Sequence, residues 1–165
     1  MNIMSDEYDT YPQRKSPRAD FHDYSCGDYF VTICTHDKRH YFGEVDNGEM
    51  RLSAIGEFVD AELAGLSSHY PYSDVLMWIV MPNHLHAIIH IDDETTPQVR
   101  SALSVVVGGL KRSVTMYARR NNIEFGWQSR YHDHIIRKPE YGNKIAEYIR
   151  NNPFLWSKDC FNDEV

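Results

Sequence analysis

Cysteine is scarce: three in 165 residues, at 26, 34 and 160, an odd number with no Cys-x-x-Cys spacing. That speaks against a disulfide framework and against a zinc ribbon, and makes a reducing cytoplasm the expected compartment. No apolar run approaches the roughly 18–20 residues of a membrane-spanning helix. The start, Met1 to Glu7, has neither the basic residues nor the apolar stretch of a secretory signal. Net positive charge is missing too. The formal charge is -7, which taken over the whole chain argues against a general duplex binder.

What is present is ordinary for a globular chain, 42% hydrophobic and 25% charged, and its length suits one well-buried core rather than two domains. The charge is unevenly spread. Residues 1–99 sum to -11, residues 100–150 to +6 and the last fifteen to -2. An anionic partner is therefore expected at the basic third. Histidine is the compositional oddity: nine residues, five of them in two clusters at 84–90 and 132–134.

Residues 1–20 are polar, with Pro12 and Pro17 around Arg14, Lys15 and Arg18, and read as a flexible N-terminal arm; residues 21–165 read as a single domain. The β-branched and aromatic run 29–35 predicts a strand. It leads through Asp37-Lys38-Arg39 to residues 41–45, which we expect to close a hairpin with it, followed by a turn at Asp46-Asn47-Gly48. Ile55, Phe58, Val59, Leu63 and Leu66 recur at helical steps behind Ser53, a candidate N-cap. The apolar run 75–81 predicts a central strand covered on both faces, and Pro82-Asn83 breaks it from a second strand over 84–91.

A helix is expected from about Val99 to Asn121, with Lys111, Arg112, Arg119 and Arg120 off its apolar stripe. Gly108-Gly109 marks a kink or a close approach to a neighbour. A short strand over 131–137 and a last helix from Pro139 to about Asn152 complete the order. The pattern is that of an α+β domain: a ferredoxin-like antiparallel sheet with two helices on one face, plus a C-terminal helix.

Side chains alternate along a strand, so His84, His86, Ile88 and His90 share one face and Leu85, Ala87, Ile89 and Ile91 the other. The second set belongs in a core. Two imidazoles at i and i+2 are either satisfied histidines on a sheet face or a pair sharing one divalent cation. His90 is too far along the strand to join them easily. Three alternating histidines and His-Glu-x-x-His are both absent. On the last helix Tyr148 and Asn152 are four apart and share a face. If that face meets the histidine strand, Asn152 can lend an amide oxygen and Tyr148 a hydroxyl beside the metal. A phenol with pKa near 10 is a poor nucleophile unless its target is polarised; the alternative is an ordinary half-buried tyrosine.

Three stretches carry a resemblance: Val80-Met81-Pro82-Asn83-His84-Leu85-His86; Trp127-Gln128-x-x-Tyr131-x-x-His134-x-Ile136-Arg137; and Tyr148-Ile149-x-x-Asn152-Pro153. Together, in order and over about Arg14 to Phe161, they resemble the REP-associated tyrosine transposases, single-tyrosine relatives of the HUH (His-hydrophobe-His) endonucleases. The resemblance implies that His84, His86 and Asn152 bind Mg²⁺ or Mn²⁺ and that Tyr148 is the nucleophile on the C-terminal helix. The implied substrate is single-stranded DNA beside a hairpin, cut to a 5′-phosphotyrosine and a free 3′-hydroxyl and then rejoined to another 3′-end. Expected DNA contacts are Arg14, Lys15, Arg18, Lys111, Arg112, Arg119, Arg120, Trp127, Gln128, Arg130, His134 and Arg137. Relatives of the fold form swapped dimers, so a homodimer is compatible with the resemblance. The rival readings are a metal-dependent phosphodiesterase that activates water and a catalytically inactive binder of nucleic-acid hairpins.

Overall fold

A computed structural model of the protein describes residues 27–92 and 101–162. Four strands make the main sheet: β1 (Gly27–Cys34), β4 (Ser73–Met81), β5 (His84–Ile91) and β6 (His132–Ile135), in the order β4-β5-β1-β6 with every pairing antiparallel. Helix α1 (Ala54–Ala64) and the single turn α2 (Leu66–His69) cross from β1 to β4. Helix α3 (Ala102–Arg120) crosses from β5 to β6, and α4 (Pro139–Asn151) follows β6. This is the ferredoxin-like α+β plan with a C-terminal helix. Among the described residues no helix is long and apolar enough to cross a membrane.

The two faces of the sheet have separate fillings. Tyr29, Val31, Ile33, Leu85, Ala87, Ile89 and Ile91 point to α1 and α3, where they meet Ile55, Val59, Leu63, Leu103, Val106, Val107, Leu110 and Val114 in the main core. Phe58 stacks on Tyr117 at 4.0 Å between those two helices. Phe30 and Ile88 point the other way and form a smaller cluster with Ile145 and Ile149 of α4. The alternation that separates His84 and His86 from Leu85 thus sends them to the α4 face.

Local chemistry explains the helix ends. Ser53 Oγ accepts from Gly56 N at 3.2 Å and Ser101 Oγ from Ser104 N at 3.3 Å, each satisfying one of the first-turn donors. Pro139 opens α4, where its missing N–H is no loss. Helix α3 runs unbroken through Gly108-Gly109. A Cβ at Gly109 would lie 1.7 Å from the Tyr70 hydroxyl, whereas one at Gly108 would meet open space, so Gly109 marks a close approach and the helix is not kinked.

Two expectations fail. Residues 43–46 do not pair with β1; β2 (Gly43–Asp46) pairs with β3 (Glu49–Leu52) as a separate hairpin. Its turn is Asn47-Gly48, both with positive φ (51° and 80°), which matches the twist of a two-residue hairpin. The run 75–81 is also not central. It forms the edge strand β4, broken by an irregularity between Val75 and Met77 and leaving Leu76 54% exposed. β5 and β1 take the centre and are buried on both faces along most of their length, whereas β4, though equally apolar, stays largely half-exposed. The arm with Arg14, Lys15 and Arg18 lies outside the described residues.

Candidate active site

His84 and His86 sit at the start of the central strand β5, 0% and 2% exposed. Their Nε2 atoms are 3.1 Å apart. Opposite them in register are Cys34 and Thr32 of β1. Burial holds both imidazoles neutral: His86 is lowered to about 3, and His84 falls well below its ordinary 6.5 through burial and then the neighbouring ring. His90 stands apart, with Nδ1 2.6 Å from Asp28 Oδ1 across the strands.

Helix α4 lies over this face because Ile145 and Ile149 dock on Phe30 and Ile88. That docking brings the Tyr148 ring to 5.3 Å from the His86 ring and edge-on to Phe30 at 6.4 Å. Asn152 follows one turn later as the helix C-cap and is 1% exposed. Its side chain bonds Asp159, while its Oδ1 is buried without a hydrogen-bond partner.

The residues after α4 close the site. Phe161 packs 4.5 Å from His84, Trp156 lies 6.0 Å from it, and Asn83 Nδ2 donates to the Phe161 carbonyl at 2.7 Å. Burial raises Asp159, and the hydrogen bonds from Phe161 N and Asn152 act against it. Cys34 is pushed up to about 11, chiefly by burial, so it remains a thiol and not a thiolate ligand.

Does this set suit Mg²⁺ or Mn²⁺? Among the described residues no group of three or more His, Cys, Asp or Glu is placed to hold a metal, so a cation here would need the Asn152 amide. Two neighbouring ligands of an octahedral ion at about 2.1 Å are about 3 Å apart, which the 3.1 Å Nε2 separation matches. A buried carbonyl oxygen without a donor is the other half of the fit, since such an atom is costly to leave unsatisfied. Two imidazole nitrogens at that spacing and a free amide oxygen are donor types that such an ion takes.

The basic side chains do not gather around the histidines. Lys111, Arg112 and Arg119 line an open groove with Thr115, Met116 and Trp127. The groove runs along α3 beside the Trp127 loop, and Lys111 also interacts electrostatically with Cys34, the register partner of His84. Lys111 Nζ donates to the Gln128 carbonyl at 2.7 Å, and Trp127 Nε1 donates to the Lys111 carbonyl at 3.0 Å. Trp127 also packs on Phe42 and Phe125. Gln128 N donates to the Cys34 carbonyl at 3.0 Å, binding this loop to the end of β1. Arg120 and Arg130 are exposed elsewhere. Arg137 lines a second open groove with Asp28, Leu76, Ile88 and Lys138 at the start of α4. His134 is half-buried opposite Phe30, on the histidine face.

Sequence reasoning missed Asn83 and Thr32 as partners of the histidines, and Trp156 and Phe161 as their cover. Asn83 adjoins His84, and Thr32 is a polar residue inside an apolar strand; those were the available signals. Nothing local marks Phe161.

No family model matches the chain. A curated relative, an uncharacterized protein of Haemophilus influenzae, is 34% identical over 164 residues, covering 88% of this chain and 91% of that one. The chain belongs to that protein's family. Among solved structures, a REP-associated tyrosine transposase bound to a REP hairpin superposes with a TM-score of 0.61, at 18% identity, over 83% of this chain and 72% of that one. The fold is that of the REP-associated tyrosine transposase, as the three motifs imply.

Proposed function

We propose that the protein is a metal-dependent enzyme that nicks and rejoins single-stranded DNA through Tyr148, at sequences beside a hairpin. The observation that carries this reading is the convergence of two buried neutral imidazoles, a tyrosine ring 5.3 Å from one of them and an unsatisfied amide oxygen one helical turn away. The fold shared with a transposase that binds a REP hairpin supports the same class of substrate.

In this reading His84, His86 and Asn152 hold Mg²⁺ or Mn²⁺, which supplies polarisation of the scissile phosphate and offsets charge on its oxygens. The Tyr148 oxygen forms a bond to phosphorus as its proton departs, and the bond from phosphorus to the 3′-oxygen breaks. The 3′-oxygen takes up a proton, leaving a 3′-hydroxyl and a 5′-phosphotyrosine. No ester is lost, so a second 3′-hydroxyl can reverse the step and join a new strand. Because His84 and His86 are at most 2% exposed, DNA reaches them only when the segment carrying Trp156 and Phe161 shifts. The groove of Lys111, Arg112 and Arg119 offers a grip on phosphates, with Arg137 and His134 on the reacting face. Arg14, Lys15 and Arg18 add positive charge from the arm, and Gln128, Arg130 and Arg120 complete the proposed contacts.

The test is to incubate the protein with labelled single-stranded hairpin DNA and Mn²⁺ and look for an adduct that survives SDS. The adduct is expected in wild type and absent in Tyr148→Phe. Cleavage that persists in Tyr148→Phe would instead point to activated water, and binding without cleavage to an inactive hairpin binder.

A further inference from the structure

The histidine pair is wired into a chain of hydrogen bonds whose directions are determined by one side chain, Asn83. Asn83 is 1% exposed. Its backbone carbonyl accepts from Thr35 N at 2.9 Å and from Thr35 Oγ1 at 3.0 Å. Its Nδ2 is within 3.2 Å of the Lys38 carbonyl and 2.7 Å of the Phe161 carbonyl. Two carbonyl acceptors identify that atom as the amide nitrogen and use both of its hydrogens. The remaining amide atom, Oδ1, can only accept, and it lies 2.8 Å from His84 Nδ1. His84 must therefore carry its hydrogen on Nδ1 and present a bare lone pair at Nε2.

The consequence passes along the chain. A neutral His86 whose Nε2 is 3.1 Å from that lone pair donates its own Nε2 hydrogen to it. His86 Nδ1 is then an acceptor, and the Thr32 hydroxyl, 2.8 Å away, is its donor. Every buried nitrogen of the pair is satisfied, and only in this one pattern.

We infer that Asn83 is a positioning residue that locks His84 in the Nδ1–H form, so that His86 alone exchanges its tautomer, against Thr32, when a divalent cation binds. This rests on the metal reading above. With both Nε2 lone pairs engaged, His86 bears its hydrogen on Nδ1 and donates to Thr32 Oγ1, which turns from donor to acceptor. One hydrogen leaves Nε2 and one joins Nδ1, so no net proton is released. His84 enters the metal-free state already in its binding form; His86 does not.

Long-range ¹H–¹⁵N spectra of histidine-labelled protein read both rings directly. Without metal, His84 is expected as Nδ1–H and His86 as Nε2–H; on titration with Mg²⁺ only His86 changes, to Nδ1–H. Finding His84 as Nε2–H, or seeing His84 change with Mg²⁺, overturns the inference. Asn83→Asp keeps the acceptor and is expected to keep the His84 pattern, whereas Asn83→Ala loses it. Thr32→Val, nearly isosteric, leaves the loaded Nδ1–H without an acceptor and is expected to weaken Mn²⁺ binding by about 10–100-fold; unchanged Mn²⁺ affinity in that variant also overturns it. Wild-type protein with the expected metal-free pattern that binds neither Mn²⁺ nor Mg²⁺ overturns the metal reading and the exchange at His86, while the lock by Asn83 stands.

Discussion

Burial sets the protonation of the side chains around the histidine pair, and each has a consequence that can be measured. Cys34, 3% exposed and pushed up to about 11, stays a thiol at neutral pH. Native protein at pH 8 is expected to alkylate with iodoacetamide at the exposed Cys160 well before Cys34, and to expose both equally in urea. Modification of Cys34 in the native protein at the rate of a free thiol would contradict its placement beside His84. At this scale the sequence was legible where placement depends on spacing alone. Strand alternation puts His84 and His86 on one face, and the helical step of four does the same for Tyr148 and Asn152; their roles rest on the resemblance, since spacing alone also suits satisfied histidines and an ordinary tyrosine. Asn83 was illegible as a partner because its role depends on Lys38 and Phe161, distant in sequence, taking both of its amide hydrogens.

Helix α4 converts those spacings into a site. Its inward residues Ile145 and Ile149 are 5% and 1% exposed against Phe30 and Ile88, and they set the depth at which Tyr148 meets His86. Ile149→Ala is expected to destabilise the protein by about 2–5 kcal/mol, the usual cost of such a cavity, as measured by urea denaturation. It should also lower adduct formation by loosening the helix that carries Tyr148. Glu147→Ala on the exposed side should change stability by less than about 0.5 kcal/mol; equal effects of the two would contradict the docking. Periodicity revealed α1, α3 and α4; Ser53 and Pro139 marked the starts of α1 and α4, while α3, expected from about Val99, begins at Ala102 behind Ser101. It did not reveal which face of the sheet each helix covers. The hairpin assigned to residues 29–45 failed because the Asn47-Gly48 turn closes β2 on β3 instead, and β4 was placed centrally because a long apolar run reads the same at an edge half-covered by helices.

For the whole molecule, the sheet has two packed faces: α1 and α3 cover one, and α4 covers the other, where the histidines point. The fold distributes the +6 segment between the groove of Lys111, Arg112 and Arg119 and the groove with Arg137 and Lys138, something no one-dimensional charge sum can show. The buried histidines also link stability to pH. Both are lowered in the folded protein, His86 from 6.5 to about 3, so below 6.5 the unfolded chain binds protons that the folded one does not. The stability they confer is full above pH 6.5 and is lost progressively as pH falls below it, for His86 down to about 3. Asp159, raised by burial, acts in the opposite sense only near the carboxylate range. Urea midpoints in EDTA are expected to drop between pH 7 and pH 5, and a flat profile would contradict neutral, buried imidazoles. Tyr148 as the covalent nucleophile is tested most directly by mass spectrometry. After reaction with single-stranded hairpin DNA and Mn²⁺, nuclease and trypsin digestion should leave a nucleotide 5′-phosphate on the peptide Ile145–Arg150, attached at Tyr148. Strand cleavage with that peptide unmodified, or with the nucleotide on another tyrosine, would contradict the account.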